Sequence, residues 1–374
     1  MSHILFLVSS MQGGGAERVA ALLSNCWAQQ GHQVTLMPTF SGRGDCIYPL
    51  DERVKLDYLA DRVSSRRVSL LNKFRRYAAL RHAVREIAPD VVVSFLPHVN
   101  VAAIFAVSRL DIPVVVSERI YPPAMPVGAV LEWLRKWSYP KADTVVVQTI
   151  QAKRWLMKCC PNAHCQVIAN PVVFPLPLGQ PQRQPDMIVR KNRKLILAVG
   201  RLHEQKQFDL LMTAFSRLAE SYPEWDLVIL GEGHERECLE QKREYLGLLD
   251  RVYLPGRIGN LADWYDRAEL FVMSSRFEGF PNTLLEAMAH GLPVVSFDCD
   301  AGPRDIIRQG VDGYLVPVES GNGGLSRVIE KLILDDSRRQ KMSEASVAVR
   351  ERFSMERVAT QWSKALGLTE TRDV

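Results

Sequence analysis

The stretch SSRFEGFPNTLLEAMAHG, residues 274 to 291, with LPVVSF behind it, leaves this chain few folds to choose from. An apolar run, LFVMSS, ends in a short loop carrying Glu278 and Gly279, and Pro281 then opens a helix that Gly291 and Pro293 close. Proline suits a first helical position because its missing N–H would be unpaired there, and glycine suits the position just past the end. Strand, loop, helix and strand make one βαβ unit. Its helix start leaves N–H groups of Asn282, Thr283 and their neighbours unpaired, and with the positive end of the helix dipole these attract phosphate. An anion would repel a carboxylate beside it, so Glu278 fits only if it meets hydroxyls on a neighbouring group. A sugar nucleotide offers both. Taken alone, Glu278 and Glu286, eight positions apart, also fit a loop charge and a solvated helix residue.

At 374 residues, 47% hydrophobic and 24% charged, the chain is long enough for two soluble domains with ample core. No apolar run reaches the roughly 18 residues of a spanning helix. The start, MSHILFLVSS, is short in its apolar part and lacks a basic leader, so it reads as a first strand and not a signal peptide. Seven cysteines without framework spacing suggest reduced thiols in a cytoplasm. Cys159, Cys160, His164 and Cys165 cluster, but their spacing fits no zinc pattern closely. The net charge of +5 is uneven: residues 1 to 180 carry 20 Lys and Arg against 12 Asp and Glu, the remainder 27 against 30. A basic first half suggests a surface that meets acidic lipid, phosphate or nucleic acid. Nucleic acid is the poorest of these, because no recognised reading module is present.

ILFLV followed by MQGGGAERVAALLSNCWAQQG reads as a buried strand, a glycine turn and an amphipathic helix. That is phosphate-loop geometry, yet the dinucleotide fingerprint lacks its third glycine and a Walker loop its Gly-Lys-Ser/Thr. DVVVSFL, IPVVVSE and TVVVQT are short, β-branched and flanked by helical stretches, which predicts a parallel sheet. Their C-terminal ends carry His98, Asn100, Glu118 and Arg119, where an open α/β sheet binds ligand. From Ser64 to Ile87 the spacing predicts a basic amphipathic helix, with Val68, Leu71, Phe74, Tyr77 and Ala78 among Arg66, Arg67, Lys73, Arg76, Arg81 and Arg85. Such a helix either packs on the sheet with a solvated polar face or meets anionic lipid or a pyrophosphate-linked lipid. LEWLRKWSYPK sets Trp133, Trp137 and Tyr139 beside Arg135 and Lys136, which suits a membrane interface or a plain core.

The proline-dense IANPVVFPLPLGQPQRQPD marks a boundary before KLILAVGRL restarts the alternation. The expected domains are residues 1–175 and 190–354, with a final helix in 355–374. Two similar α/β halves leave a cleft between their sheets' carboxyl ends. In the second half Gly200 and Arg201 lie at a strand end and Lys206 just before a helix. Two cations five residues apart can clasp one diphosphate, Arg as a fork and Lys as a point charge, though they also fit a loop with two solvated charges. The only Asp-x-Asp spacing, Asp298 and Asp300, is read as chance, so no metal and no other cofactor is expected. Asp305 and Ile306 are expected to begin a helix.

The run EGFPNTLLEAMAHGLPVV resembles the E-x7-E element of retaining GT-B glycosyltransferases, specifically the bacterial family four that builds polysaccharides and lipid-linked glycans. SFLPHVN followed by VSERIYPP is similar to the subgroup that extends undecaprenyl-pyrophosphate-linked oligosaccharides. The resemblance covers nearly the whole chain, most strongly Leu195 to Pro317. It implies an α/β GT-B fold of two Rossmann-like doubly wound domains facing across a cleft, the last helix returning to the first domain. It implies that Arg201 and Lys206 bind the diphosphate, that Glu278 holds the donor sugar hydroxyls and that Glu286 holds the ribose diol. Gly14, Gly15, Gly200, Gly279, Phe280, Pro281, Asn282 and Thr283 would line the donor, with Arg257 and Ile258 at the base. His98 would lie near the donor sugar or acceptor, with Glu118 and Arg119 on the acceptor side.

The implied reaction retains the donor's α configuration without a metal, the departing phosphate taking the acceptor proton. The implied donor is a UDP-linked hexose or N-acetylhexosamine, with guanine as the alternative base. The implied acceptor is a polyprenyl-pyrophosphate-linked glycan or polysaccharide, met at the inner face of the cytoplasmic membrane by a cytoplasmic, peripheral protein. Two readings stay open beside it: a non-hydrolysing nucleotide-sugar epimerase, and a peripheral membrane binding protein with a degenerate transferase cleft. Complete Arg, Lys and paired Glu elements argue against decay.

Overall fold

A computed structural model describes residues 1–63 and 70–368. The chain divides into two compact units, Met1–Pro171 with Met355–Val374, and Val172–Ser354.

The first unit holds seven strands: β1 (His3–Val8), β2 (Gln33–Pro38), β3 (Val54–Leu56), β4 (Val91–Phe95), β5 (Val114–Ser117), β6 (Thr144–Val147) and β7 (Cys165–Val167). They pair in parallel in the order β3-β2-β1-β4-β5-β6-β7. Helices cover both faces, which is why β4, β5 and β6 are apolar at nearly every position and buried throughout. Five of these helices are α1 (Gly15–Gln29), α2 (Leu70–Ile87), α3 (Pro97–Val107), α4 (Ala129–Ser138) and α5 (Ile150–Cys159). The chain's last helix, Met355–Ala365, buries Val358, Ala359, Trp362 and Ala365, a single stripe at helical spacing. Its Trp362 meets Trp27 of α1 edge-on at 6.4 Å and Phe95 of β4 at 5.7 Å, and Phe95 in turn meets Phe6 of β1 at 4.7 Å.

The second unit holds β8 (Lys194–Val199), β9 (Trp225–Leu230), β10 (Val252–Gly256), β11 (Leu270–Met273), β12 (Val294–Phe297) and β13 (Gly313–Val316). Their order is β10-β9-β8-β11-β12-β13, again all parallel. The helices are α6 (Phe208–Ala219), α7 (Arg236–Tyr245), α8 (Leu261–Arg267), α9 (Asn282–Ala289), α10 (Pro303–Ile306), α11 (Gly321–Leu334), α12 (Asp336–Ser346) and α13 (Val349–Arg352). In each unit the chain builds outward to one side and then restarts on the other, so the order reverses between β1 and β4 and between β8 and β11. Ligands of doubly wound sheets bind beyond the strand ends at such a reversal.

Two expectations are corrected. Arg66, Arg67 and Val68 lie outside the described residues, and within α2 the expected apolar residues Phe74 and Ala78 are exposed, while Leu80, Ala83 and Val84 are buried. The reason is that the inward face of α2 carries Asn72, Leu80, Ala83 and Val84, with Phe74 and Ala78 on the other side: Tyr77 donates to the Phe105 carbonyl at 2.9 Å, and Arg81 Nη1 to the Ala106 carbonyl at 2.8 Å, at the end of α3 where orphan carbonyls favour a cation. Arg76 likewise donates to the Thr39 carbonyl, so part of the basic face is occupied internally. Asp305 and Ile306 end α10, because Pro303 begins it. Burial pushes the Cys160 and Cys165 thiols up to about 11, which keeps them protonated at neutral pH.

Candidate active site

The second unit's reversal gathers residues that lie far apart in sequence. Gly200 and Arg201 follow β8, and the turn Glu204–Lys206 leads into α6. Ser274 to Glu278 follow β11. Three hydrogen bonds clip the turn to this loop: Ser274 Oγ donates to the Lys206 carbonyl at 2.7 Å, Gln205 Nε2 to the Phe277 carbonyl at 2.7 Å, and the Arg276 N–H to the Gln205 carbonyl at 2.8 Å. Lys206 Nζ then reaches Glu278 Oε1 at 2.6 Å, its stem lying against Gly200. Arg201 is exposed on the same loop and makes no ion pair among the described residues.

Glycine permits this closeness at two places. A Cβ on Gly231, after β9, would fall 1.8 Å from the Gly200 carbonyl oxygen, so any side chain there displaces the Arg201 loop. Gly302, at φ +98°, would set a Cβ 2.8 Å from Pro281 Cδ and 3.0 Å from the Gly279 carbonyl oxygen. LVILGEG, residues 227 to 233, reads in sequence as a strand and a glycine turn, whereas Gly302 had only Gly-Pro before a helix as its signal.

Pro281 caps α9 without a side-chain hydrogen bond, and Asn282 and Thr283 form its first turn, half-buried. Phe280 is anchored edge-on against Phe353 at 5.6 Å. Gly291, at φ +81°, ends the helix as its place in the sequence required, and Arg350 Nε donates to the last-turn carbonyl of Ala289 at 2.8 Å. Glu286 is buried on the second turn, where the Tyr265 hydroxyl of α8 donates to its Oε2 at 3.2 Å. No spacing rule connects Tyr265 to Glu286. Arg257, exposed, and Ile258, buried, follow β10. Asp298 of the Asp-x-Asp pair is engaged by Arg304 Nε at 2.8 Å. One group of ligating type occurs among the described residues, Glu204, His234 and Glu235, with ligand atoms within 4.8 Å of one another at the surface.

The first unit's reversal is built differently. Leu96 sits at φ +80°, a strained conformation for a branched side chain, and turns β4 directly into α3 with Pro97 and His98 in its first turn. His98 Nε2 lies 3.3 Å from Ser9 Oγ, which follows β1. His98 is exposed by area, yet protein around the ring desolvates it and holds its pKa below the ordinary value. Gly14 is clamped, its N–H donating to the Tyr48 hydroxyl at 2.8 Å, so that donor is already engaged; Gly15 begins α1.

Glu118 and Arg119 are not surface groups. Glu118 is 3% exposed, with Arg135 Nε at 3.1 Å and the Tyr139 hydroxyl donating to it at 2.5 Å. Asn100 is buried beside them and donates to Tyr139 at 3.0 Å. Arg119 lies over the Phe95 ring at 4.3 Å and donates to Asn170. The expectation that this pair lines an acceptor surface is corrected: a position at a strand end does not fix which way the side chain turns, and here both turn inward.

Comparison with known proteins agrees with this architecture. The family Glycosyl transferases group 1 matches residues 182–348, and Glycosyltransferase Family 4 matches residues 13–173. The chain is 26% identical over 98% of its length to 98% of the "GalNAc-alpha-(1->4)-GalNAc-alpha-(1->3)-diNAcBac-PP-undecaprenol alpha-1,4-N-acetyl-D-galactosaminyltransferase" of Campylobacter jejuni. It is 26% identical over 98% of its length to the whole of the amylovoran biosynthesis glycosyltransferase AmsD of Erwinia amylovora. Among solved structures, Anabaena HepE in complex with UDP and glucose superposes with a TM-score of 0.83 at 18% identity, covering 99% of this chain and 100% of that one. Two matched families that between them span most of the chain, together with two doubly wound parallel sheets of like order, make this chain a member of the family four glycosyltransferases of GT-B fold.

Proposed function

We propose that this glycosyltransferase moves a hexose or N-acetylhexosamine from a UDP donor, in α linkage and with retention, to a polyprenyl-pyrophosphate-linked or polysaccharide acceptor, without a metal. The observation that carries the reading is the Lys206–Glu278 pair, 2.6 Å apart at the strand ends with Arg201 and the start of α9 on the flanking segments. Cleaving a nucleotide sugar leaves a diphosphate whose negative charge grows toward the transition state, so the catalyst must neutralise that group. Arg201 and Lys206 supply positive charge, and the α9 start supplies N–H groups and a dipole. A diphosphate that takes the Lys206 ammonium releases Glu278, whose carboxylate then accepts from donor sugar hydroxyls. Glu286, oriented by Tyr265, accepts from the ribose diol, with Gly200, Gly279, Phe280 and Pro281 shaping the walls and Arg257 and Ile258 at the base.

In the first unit, Gly14, Gly15 and His98 meet the sugar or acceptor. The departing phosphate takes the acceptor proton on the face where the new bond forms. Support for the donor comes from HepE, solved with UDP and glucose. Support for the acceptor comes from the Campylobacter relative, whose name specifies a PP-undecaprenol substrate. Such an acceptor places the protein in the cytoplasm, peripheral on the inner membrane face.

A panel of UDP- and GDP-sugars tests the proposal, scored by thermal protection, by release of nucleotide and by the product's anomeric configuration. An α product formed in excess EDTA is expected. A β product, turnover that stops in EDTA and returns with divalent cation, or conversion of donor with no acceptor present would each overturn it.

A further inference from the structure

Helix α4 packs Leu131 and Leu134 against the core beside buried Arg135 and Ser138, and turns Val130, Trp133 and Trp137 to the exterior, at 74%, 63% and 47% exposure. Those three stand at i, i+3 and i+7, one stripe along the helix. Arg135 is held inward by Glu118, which fixes the rotation of the helix and so compels the tryptophans outward. The aromatic stripe is also ordered. The rings of Trp133 and Trp137 lie 9° from parallel at 6.4 Å, Trp137 stacks on Phe105 of α3 at 5.4 Å, and Lys141 Nζ sits 2.8 Å from the Trp137 ring centroid. The Phe105 carbonyl at that same place receives the Tyr77 hydroxyl of α2, and one turn before Tyr77 the Phe74 side chain is 72% exposed with Arg75 exposed beside it.

We propose that the outer face of α4 docks onto an anionic lipid bilayer, its tryptophans entering the headgroup region while neighbouring basic side chains meet lipid phosphates. Indole belongs at that boundary, with an apolar body and one N–H for the wet side. Charge selects the kind of bilayer: Arg75 and Arg85 of α2, Lys136 of α4 and Lys141 just beyond it are exposed, and anionic headgroups draw in such side chains. Aliphatic Val130 and exposed Phe74 fit acyl chains and offer nothing to a glycan, which needs polar partners around an aromatic platform. Among the described residues no helix is long and apolar enough to cross a membrane, so attachment of this kind lies on the surface. The inference deepens, and rests on, the proposal of a lipid-linked acceptor.

The test uses the full chain with vesicles of equal phosphatidylglycerol and phosphatidylcholine, and of phosphatidylcholine alone, in low salt. Binding to the first and not the second, with a blue shift of tryptophan emission, is expected. The double variant Trp133→Ala/Trp137→Ala should bind at least tenfold more weakly, with thermal midpoint and donor hydrolysis unchanged, and Val130→Trp should bind more tightly. A wild type that ignores anionic vesicles overturns the proposal, as does a double variant that binds as well as wild type. So does a double variant whose only change is loss of self-association, which would assign the stripe to a second copy of the chain. Donor hydrolysis is read in the same samples: vesicle binding without any donor turnover would sink the transferase reading and leave the docking surface standing.

Discussion

Two carboxylate–cation pairs, one in each unit, differ in how far they are closed off from solvent. Glu118 and Arg135 are 3% and 1% exposed, and Tyr139 and Asn100 complete a sealed network around them. Glu278 and Lys206 stand at open strand ends, 9% and 17% exposed at the side chain, with Arg201 on the same loop. Removing one partner of a sealed pair leaves a charge with nowhere to go. At an open end the partner can be exchanged for a ligand's charge. Desolvation decides the role: it pushes the Glu118 pKa above the ordinary value, partly offset by Arg135, and makes the first pair a fixture of the fold. On the proposed reading the first unit's sealed pair serves structure, and the second unit's pair serves chemistry.

The contrast predicts where substitutions bite. Arg135→Ala should cost about 3–5 kcal/mol of stability, read by denaturant unfolding, because Glu118 stays buried and unpaired; an unchanged midpoint would show that water reaches the carboxylate. Lys206→Ala and Arg201→Ala should each lower kcat at least about 30-fold, roughly 2 kcal/mol in barrier, with a far smaller loss of stability than Arg135→Ala. Equal stability losses at Arg135 and Lys206 would erase the distinction. Tyr265→Phe removes one hydrogen bond to Glu286 and should raise the KM for donor by roughly fivefold, about 1 kcal/mol, with kcat held.

The smallest effect is a pH dependence. Burial lowers the pKa of His3, His32 and His98 below 6.5. The unfolded chain therefore binds more protons as pH falls through that region, so the stability is fully present above about 6.5 and is lost as pH drops through the lowered values. His98→Gln should remove part of that slope in thermal melts between pH 7 and pH 5, and a slope unchanged in the variant would assign it to the other two rings.

The parallel sheets were legible because β-branched runs bounded by glycine and proline have few other uses, and the close of α9 was legible because Gly291 must adopt a left-handed conformation. The Lys206–Glu278 contact was not: 72 residues separate its partners, and only the packing of two strand ends brings them together. Tyr265 gave no signal because a tyrosine on an amphipathic helix is ordinarily core. Glu118 and Arg119 were misread because strand-end position fixes height along the sheet and not the direction of the side chain. Phe74 and Ala78 were misread for a related reason, since a local apolar spacing does not report which face of α2 turns inward.

On the proposed reading the donor's pyrophosphate displaces Glu278 from Lys206. A crystal structure with a UDP-sugar bound tests it most directly. Phosphate oxygens are expected within hydrogen-bond reach of Arg201 and Lys206 at the start of α9, with Glu278 turned onto the sugar; an intact Lys206–Glu278 pair with the pyrophosphate resting elsewhere would refute that exchange.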